Sequence, residues 1–290
     1  MRIGKYQLNA VETGEFALDG GAMFGVVPRT LWERKLPPDD RNRIHLAVRA
    51  LLVQELDDGG IPTGHNLLID TGVGQKWDAR MADIYGVDHS RLRIETSLAE
   101  LELRLEDIGH VLLTHLHFDH AGGATRRDES RGLVPTFPNA RYYVQQQNLD
   151  WAQNPTQKDR ASYLKENFQP LLEAGVLETL DGPGEFWPGI ELHMSNGHTT
   201  GMQLPRIHDS ESSLIYCADI IPTAAHVPVP WVMAYDNEPL VTMAEKEALL
   251  ARAVAEGWWI FFEHDPEAAM AKVVQGPKGY AAAERSQLGT

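Results

Sequence analysis

The chain has 290 residues, 43% hydrophobic and 23% charged, which is the composition of a globular protein rather than of a disordered one. Its formal net charge of −15 repels phosphate backbones and so argues against nucleic acid as a partner. A single cysteine, Cys217, excludes an intramolecular disulfide, and the sequence has neither the apolar run of a signal peptide nor the roughly 18 consecutive apolar residues of a membrane span. We therefore expect one domain over residues 1–290, in the cytoplasm and without a membrane partner.

Short β-type runs separated by glycine and proline dominate the chain, and several of these runs are continuously apolar. Continuous apolarity is typical of strands that are covered on both faces of a sheet. The predicted strands are residues 45–54, 66–70, 110–114, 140–144, 190–194, 213–218 and 258–262.

Two helices have recognisable start signals. Ser97 with Glu100, and Thr242 with Glu245, each form the pattern of a capping box ahead of apolar residues, and Gly257 marks the end of the second helix. A polar, less regular region follows Gly122 and contains a further helical piece over residues 162–174. Strands mixed with helices in this order indicate sheets covered by helices.

The segment with the most chemical information runs from Thr114 to Gly123 and follows the apolar residues 111–113. It carries His115, His117, Asp119 and His120 within six positions. Neutral imidazole and carboxylate are good ligands for zinc and similar ions. Because residues two apart share a face of an extended chain, His115 and His117 can chelate one ion, and a turn after His117 would bring Asp119 and His120 towards a second.

This segment cannot complete two coordination shells alone, so further ligands are expected from distant parts of the chain. Three candidates end apolar runs: His198 in a Gly-His-Thr-Thr-Gly turn, Asp219 after residues 214–218, and His264 after residues 258–263. In each case a rigid strand would present a polar side chain at its end.

These residues together resemble the metallo-β-lactamase superfamily. His115 to His120 match its HxHxDH motif, His198, Asp219 and His264 match its remaining ligands in the same order, and Asp70 in the segment Leu-Ile-Asp-Thr-Gly resembles its early strand-end aspartate. The resemblance implies an α/β (α+β) fold, specifically a four-layer αββα sandwich with two metal ions at the sheet edge.

The resemblance also implies a role for each residue. His115, His117 and His198 would hold one ion, Asp119, His120 and His264 the other, and Asp219 would bridge the two. Asp70 would steady the ligands, and Asp119 would also orient or deprotonate the reacting water, so these two are the candidate catalytic residues. Zinc is the expected metal for a histidine-rich site, although manganese, cobalt and iron also suit mixed His/Asp ligands.

Within the superfamily, the chain looks similar to quorum-quenching lactonases that act on N-acyl homoserine lactones. The stretches at residues 20–28, 37–42, 218–226 and 231–236 carry this likeness. One departure is Pro222, which stands where those lactonases place a tyrosine three residues after the bridging aspartate. Tyr235 and His226 are candidates to replace it. The candidates to line an acyl groove are the apolar residues Met23, Phe24, Val26, Trp32 and Trp231.

We therefore expect a hydrolase in which a metal-bridging hydroxide opens a small-molecule lactone or ester, with N-acyl homoserine lactone as the leading substrate. The same site would also suit a phosphotriester, a phosphodiester or a thioester, because fold and metals do not fix the substrate. A non-enzymatic metal-binding protein is disfavoured, since all seven ligand positions are filled. The sequence leaves the oligomeric state open, including a homodimer, as well as the native metal and the acyl-chain preference.

Overall fold

The computed structural model describes residues 1–288. Most of the strands form two seven-stranded sheets, and a separate hairpin pairs β6 (Thr125–Asp128) with β7 (Gly132–Pro135). Together with the helices, the two sheets confirm the predicted α/β (α+β) class. No helix in the described part of the chain combines the length and the apolar composition that crossing a bilayer requires.

The first sheet has the order β1-β2-β3-β4-β5-β8-β9, and its strands β4, β5, β8 and β9 pair in parallel. Its strands are β1 (Arg2–Ile3), β2 (Tyr6–Asp19), β3 (Arg43–Leu56), β4 (Pro62–Ile69), β5 (His110–Leu112), β8 (Arg141–Gln145) and β9 (Leu177–Leu180). In β4, the side chains of Leu67, Leu68 and Ile69 are all fully buried, as expected for a parallel strand covered on both faces.

The second sheet has its strands in chain order, and its one parallel pair joins the fourth and fifth strands. These strands are β10 (Gly184–Trp187), β11 (Ile190–Ser195), β12 (Met202–His208), β13 (Ser213–Tyr216), β14 (Trp259–Phe261), β15 (Met270–Gly276) and β16 (Gly279–Ser286). All four residues of β13 are buried, which agrees with its continuous apolar pattern.

Eight α-helices and several 3₁₀ turns connect the strands in residues 1–288. The helices are α1 (Gly20–Phe24), α2 (Arg29–Trp32), α3 (Ala79–Tyr85), α4 (Ile94–Glu100), α5 (Phe118–Ala121), α6 (Gln146–Gln153), α7 (Gln169–Glu173) and α8 (Pro239–Glu256). The helical piece expected over residues 162–174 is present as a 3₁₀ turn, Lys165–Asn167, followed by α7.

Both predicted capping boxes are wrong, although both helices exist. Helix α4 begins at Ile94 rather than at Ser97, and the Ser97 hydroxyl instead donates to the backbone oxygen of Glu12 at 2.6 Å. Helix α8 begins at Pro239, and the Glu245 carboxylate accepts hydrogen bonds from the segment 195–197. The end of α8 at Gly257 is as predicted, because this glycine takes the left-handed conformation of a helix C-cap.

Backbone contacts divide the chain into two compact units. The first unit comprises residues 1–15, 48–182 and 288, and the second comprises residues 16–47 and 183–287. The first unit has an apolar core that includes Leu52, Leu68, Val111 and Tyr142. The expected single domain over residues 1–290 stays a prediction.

Candidate metal centre

Two groups of predicted ligands are assembled in the structure, one in each unit. We call His115, His117, Asp119 and His120 the first ligand set, and His198, Asp219 and His264 the second ligand set. All seven residues are buried, with none more than 6% exposed to solvent. Ionisable groups at such depth require partners, because burial of an unpaired charge is costly.

The first ligand set lies just beyond the end of β5. Nε2 of His115 is 3.1 Å from Nδ1 of His117, and Nε2 of His120 is 3.9 Å from Oδ2 of Asp119. His117 is the last extended residue before α5, and this helix carries Asp119 and His120. The predicted turn after His117 is therefore a single helical turn.

Asp70 supports the first ligand set through hydrogen bonds of its carboxylate. Its carboxylate accepts hydrogen bonds from the backbone and the hydroxyl of Thr114, both at 2.7 Å, and from Nδ1 of His120 at 3.0 Å. The backbone of Asp70 has a φ of +60°, in the left-handed region that aspartate tolerates better than most residues. Asp70 thus steadies His120, as expected for a residue that orients a ligand.

A close backbone approach fixes the helix that carries Asp119 and His120. The main chain at Gly122 lies against Val73, so that a Cβ added at Gly122 would be 2.2 Å from the Val73 carbonyl oxygen. On the same side, the hydroxyl and the backbone N–H of Thr71 both donate to the His120 carbonyl oxygen at 2.8 Å. The residue after Asp70 therefore also contributes to the position of His120.

The second ligand set is organised around Asp219. Its two carboxylate oxygens face different imidazoles: Oδ2 is 3.1 Å from Nε2 of His198, and Oδ1 is 3.4 Å from Nε2 of His264. Asp219 lies in a 3₁₀ turn directly after β13, and the preceding Ala218 has a φ of +42°. Nδ1 of His264 donates to the Ala47 carbonyl oxygen at 2.9 Å.

Asp236, which had no predicted role, supports the second ligand set. Its Oδ1 accepts a hydrogen bond from Nδ1 of His198 at 2.9 Å, and its Oδ2 accepts one from the Met233 backbone at 3.1 Å. Burial lowers the pKa of His198, but the carboxylates of Asp219 and Asp236 outweigh burial and raise this pKa to about 9. Asp236 ends the stretch 231–236 that carries part of the lactonase likeness, but only the three-dimensional structure shows its contact with His198.

His226, one of the two candidates to replace the tyrosine absent at Pro222, is a packing residue. Its Nε2 donates to the Met23 carbonyl oxygen at 2.8 Å, its Nδ1 accepts from the Thr223 hydroxyl at 2.7 Å, and its ring stacks on Phe24. Burial lowers the pKa of His226 to about 3. A neutral ring with both nitrogens engaged cannot act as a proton donor at neutral pH, so Tyr235 stays as the other candidate.

The side chains expected to line an acyl groove are mostly internal. Phe24 and Trp32 are buried and stacked at 5.3 Å between ring centroids, and Trp231 meets Phe24 edge-on at 5.7 Å. Val26, in contrast, is 89% exposed. These residues mainly form an aromatic core beneath the loops of the second unit.

Residues 48–264, three quarters of the chain, match the metallo-beta-lactamase superfamily. This chain belongs to the metallo-β-lactamase superfamily. The resemblance inferred from its ligand motif is therefore confirmed, and with it a place among metal-dependent hydrolases.

Relatives of this superfamily member include an N-acyl homoserine lactonase of Bacillus cereus. That protein is 29% identical over 178 residues, which cover 60% of this chain and 63% of the relative. The match thus spans less than two thirds of the relative's own length.

Solved structures of the superfamily align over nearly the whole chain. A probable metal-dependent hydrolase from Staphylococcus aureus is 31% identical, with a TM-score of 0.86 and coverage of 98% of this chain and 99% of that one. A dizinc quorum-quenching lactonase in complex with its product has a TM-score of 0.79 and covers 99% and 96%, but at 18% identity it supports the fold alone.

Proposed function

We propose that this protein hydrolyses N-acyl homoserine lactones with two divalent metal ions, most simply zinc, held jointly by the two ligand sets. His115, His117 and His198 would bind one ion and Asp119, His120 and His264 the other, with Asp219 shared. The joint action of the two sets rests on the superfamily to which the chain belongs, since its matched region contains all seven residues.

The observation that carries the metal proposal is the orientation of four imidazoles. His115, His120, His198 and His264 each turn Nδ1 to a protein oxygen and Nε2 to another predicted ligand. Metal-binding histidines are typically held in this way, with one nitrogen fixed by an outer partner and the other directed at the ion. The donor set also fits zinc chemically, because it combines imidazoles with carboxylates.

The geometry of Asp219 supports a bridging role. One carboxylate oxygen faces His198 and the other faces His264, and these histidines belong to different ions in the proposal. Asp219 would therefore help to hold both ions, beside His198 for one and beside His264 for the other.

Two bound ions would supply Lewis acidity, which polarises a carbonyl group and lowers the pKa of water. The protein's own side chains would transfer the proton and orient the ligands. Asp119, buried beside His120, can take a proton from the attacking water and return it to the leaving alkoxide. Asp70 and Asp236 would keep His120 and His198 in the required orientation, so that little reorganisation is needed during the reaction.

An apolar surface beside Asp119 suits the non-reacting part of such a substrate. The rings of Trp77, Tyr85 and Phe118 contact one another, with centroids 5.0–5.5 Å apart. Burial raises the pKa of Tyr85, and the Asp119 carboxylate raises it further, which keeps the phenol protonated at neutral pH. A lactone bears both an apolar ring and a polar carbonyl, and this mixture of aromatic and ionic groups could bind both.

The likeness to named N-acyl homoserine lactonases favours the lactone over other substrates. The direct test is an assay of the purified protein on short- and long-chain N-acyl homoserine lactones, an aryl ester, a phosphotriester, a phosphodiester and a thioester, each with and without a chelator. We expect lactone turnover that is abolished by the chelator and restored by zinc.

A matched pair of histidine variants completes the test. His264→Ala should abolish lactone turnover, whereas His65→Ala, which alters an exposed histidine outside both ligand sets, should retain it. Turnover of the phosphotriester or the thioester alone would contradict the lactone assignment. Lactone turnover that survives His264→Ala would contradict the role of the second ligand set.

A further inference from the structure

A cavity of about 310 Å³ in the first unit contains none of the predicted metal ligands in its walls. Its charged wall residues are Lys76, Arg126, Arg127 and Glu95. Three cations therefore face one carboxylate, in a chain whose formal net charge is −15. The single acid is already engaged, because Glu95 accepts hydrogen bonds from the Gln75 amide at 3.0 and 3.2 Å.

Lys76 is the deepest of the three cations. Its side chain is buried, and its ammonium group donates to the backbone carbonyl oxygens of Gly122 and Thr125. An ammonium group has three N–H donors, so one remains for a further acceptor. Burial lowers the pKa of Lys76 to about 8, against the opposing effect of the Glu166 carboxylate. When burial lowers the pKa of an amine in this way, a nearby anion stabilises its charged form.

Thr136 supplies an independent indication of a ligand. The residue is 2% exposed and lies in the cavity wall, and its hydroxyl has no hydrogen-bond partner among residues 1–288. A buried hydroxyl without a partner costs free energy, and such groups in native proteins call for an explanation. A bound group with acceptor oxygens would satisfy it.

An adjoining cavity of about 250 Å³ repeats this situation. It shares Lys76 and Arg127 with the first cavity, and its wall includes Asn167, which is 2% exposed. The Asn167 side-chain nitrogen is a buried donor with no partner in the described part of the chain. Each of the two cavities thus has at least one unsatisfied polar group in its wall, and both cavities share Lys76 and Arg127. The Arg127 guanidinium is 3.7 Å from the Glu166 carboxylate, which is a loose ion pair.

We propose that the larger cavity binds a small organic oxyanion, a carboxylate or a phosphate ester, through Lys76, Arg126 and Thr136. Charge-assisted hydrogen bonds from the two cations would hold the oxyanion, and the Thr136 hydroxyl would donate to one of its oxygens. Arg126 is exposed at the mouth of the cavity and can reach an entering anion. This site does not depend on the lactonase proposal.

The test is isothermal titration calorimetry of the metal-loaded protein with inorganic phosphate and, separately, with malonate, at an ionic strength fixed by chloride. We expect binding of at least one anion, and the tighter of the two identifies the phosphate or the carboxylate class. Arg126→Gln and Thr136→Val should each weaken this binding by about tenfold, the size expected of a charge-assisted hydrogen bond. Arg34→Gln, which removes an exposed arginine outside the cavity, should leave it unchanged.

Thr136→Val also gives a prediction in the absence of any anion. Because the hydroxyl has no protein partner, its replacement by a methyl group of similar size should leave the urea midpoint of the ligand-free protein unchanged or higher. The proposal is overturned if neither anion binds at millimolar concentration. It is equally overturned if binding is the same in the wild type, Arg126→Gln and Thr136→Val, since the anion would then be bound elsewhere, as at the metal ions.

Discussion

Nδ1 of His198 donates a hydrogen bond to Oδ1 of Asp236 at 2.9 Å, although the two residues are 38 positions apart in the chain. Asp236 is 3% exposed, so little solvent competes for its carboxylate. This bond fixes the ring of His198 with its other nitrogen facing Asp219. Asp236 would therefore act on the substrate only indirectly, through the position of His198.

Replacement of Asp236 should weaken metal binding without unfolding the protein. Asp236→Asn keeps the shape of the side chain but loses the charge, and loss of such an outer partner typically costs 10- to 100-fold in metal affinity or activity. Competition with a chromophoric chelator measures the affinity. Asp58→Asn, at an exposed surface aspartate, is the control, and equal zinc affinities for both variants would refute the role of Asp236.

Asp70 should contribute to stability as well as to the first ligand set. Asp70→Ala leaves the buried donors of Thr114 and His120 without their acceptor and places alanine at a φ of +60°. We expect a loss of about 2 kcal/mol or more in the free energy of unfolding, measured by urea denaturation. Asp70→Asn should lose less, because asparagine keeps one acceptor oxygen and tolerates this backbone conformation. Equal losses in the two variants would contradict this explanation.

Gly122 should not tolerate a side chain, for a reason of space alone. Its φ of −60° suits any residue, but a Cβ would collide with the backbone of Val73. Gly122→Ala should therefore destabilise the protein by about 1–3 kcal/mol and reduce metal affinity, because α5 must shift. Gly109→Ala is the matched control, since no atom lies within 4 Å of its added Cβ. If urea midpoints for the two variants agree, the close approach is not a constraint.

Lys246 should make stability depend on pH. The side chain is fully buried, its ammonium group donates to the Trp231 carbonyl oxygen at 2.7 Å, and burial lowers its pKa to about 7 despite the opposing charge of Asp236. An unfolded chain keeps the ordinary lysine pKa near 10.4, so between pH 7 and pH 10 the unfolded state binds more protons than the folded state. The free energy of unfolding therefore rises with pH in this window.

Lys246→Met removes this titration while keeping a side chain of similar size. The difference in unfolding free energy, wild type minus variant, should rise by about 2 kcal/mol between pH 7 and pH 9. Urea denaturation at a series of pH values gives this difference directly. Parallel pH profiles for the two proteins would mean that the buried lysine keeps its ordinary pKa.

The seven candidate ligands could be picked out from the sequence because the information that marks them is local. His115 to His120 form one short motif, and the other three ligands follow apolar runs that become β11, β13 and β14. All seven predicted strands exist in the structure. An apolar run with a polar residue at its end has few other uses, so such segments can be interpreted without knowledge of their neighbours.

The features that the sequence did not reveal depend on side chains whose partners lie far away in the chain. Strand β2 was missed because polar residues interrupt its apolar pattern: Asn9 donates to the Gln54 side chain at 3.1 Å, and Glu12 accepts from Arg49. These pairs satisfy groups that look solvent-exposed in the sequence. Asp236 was missed for the same reason, because its role depends on the hydrogen bond to His198, a residue far away in the sequence.

Elemental analysis of the purified protein tests most directly whether the two ligand sets hold two metal ions. We expect about two divalent ions per chain in the wild type, and fewer in variants of either ligand set. A protein that carries no divalent metal, and takes up none when zinc, manganese, cobalt or iron is added, would contradict this expectation.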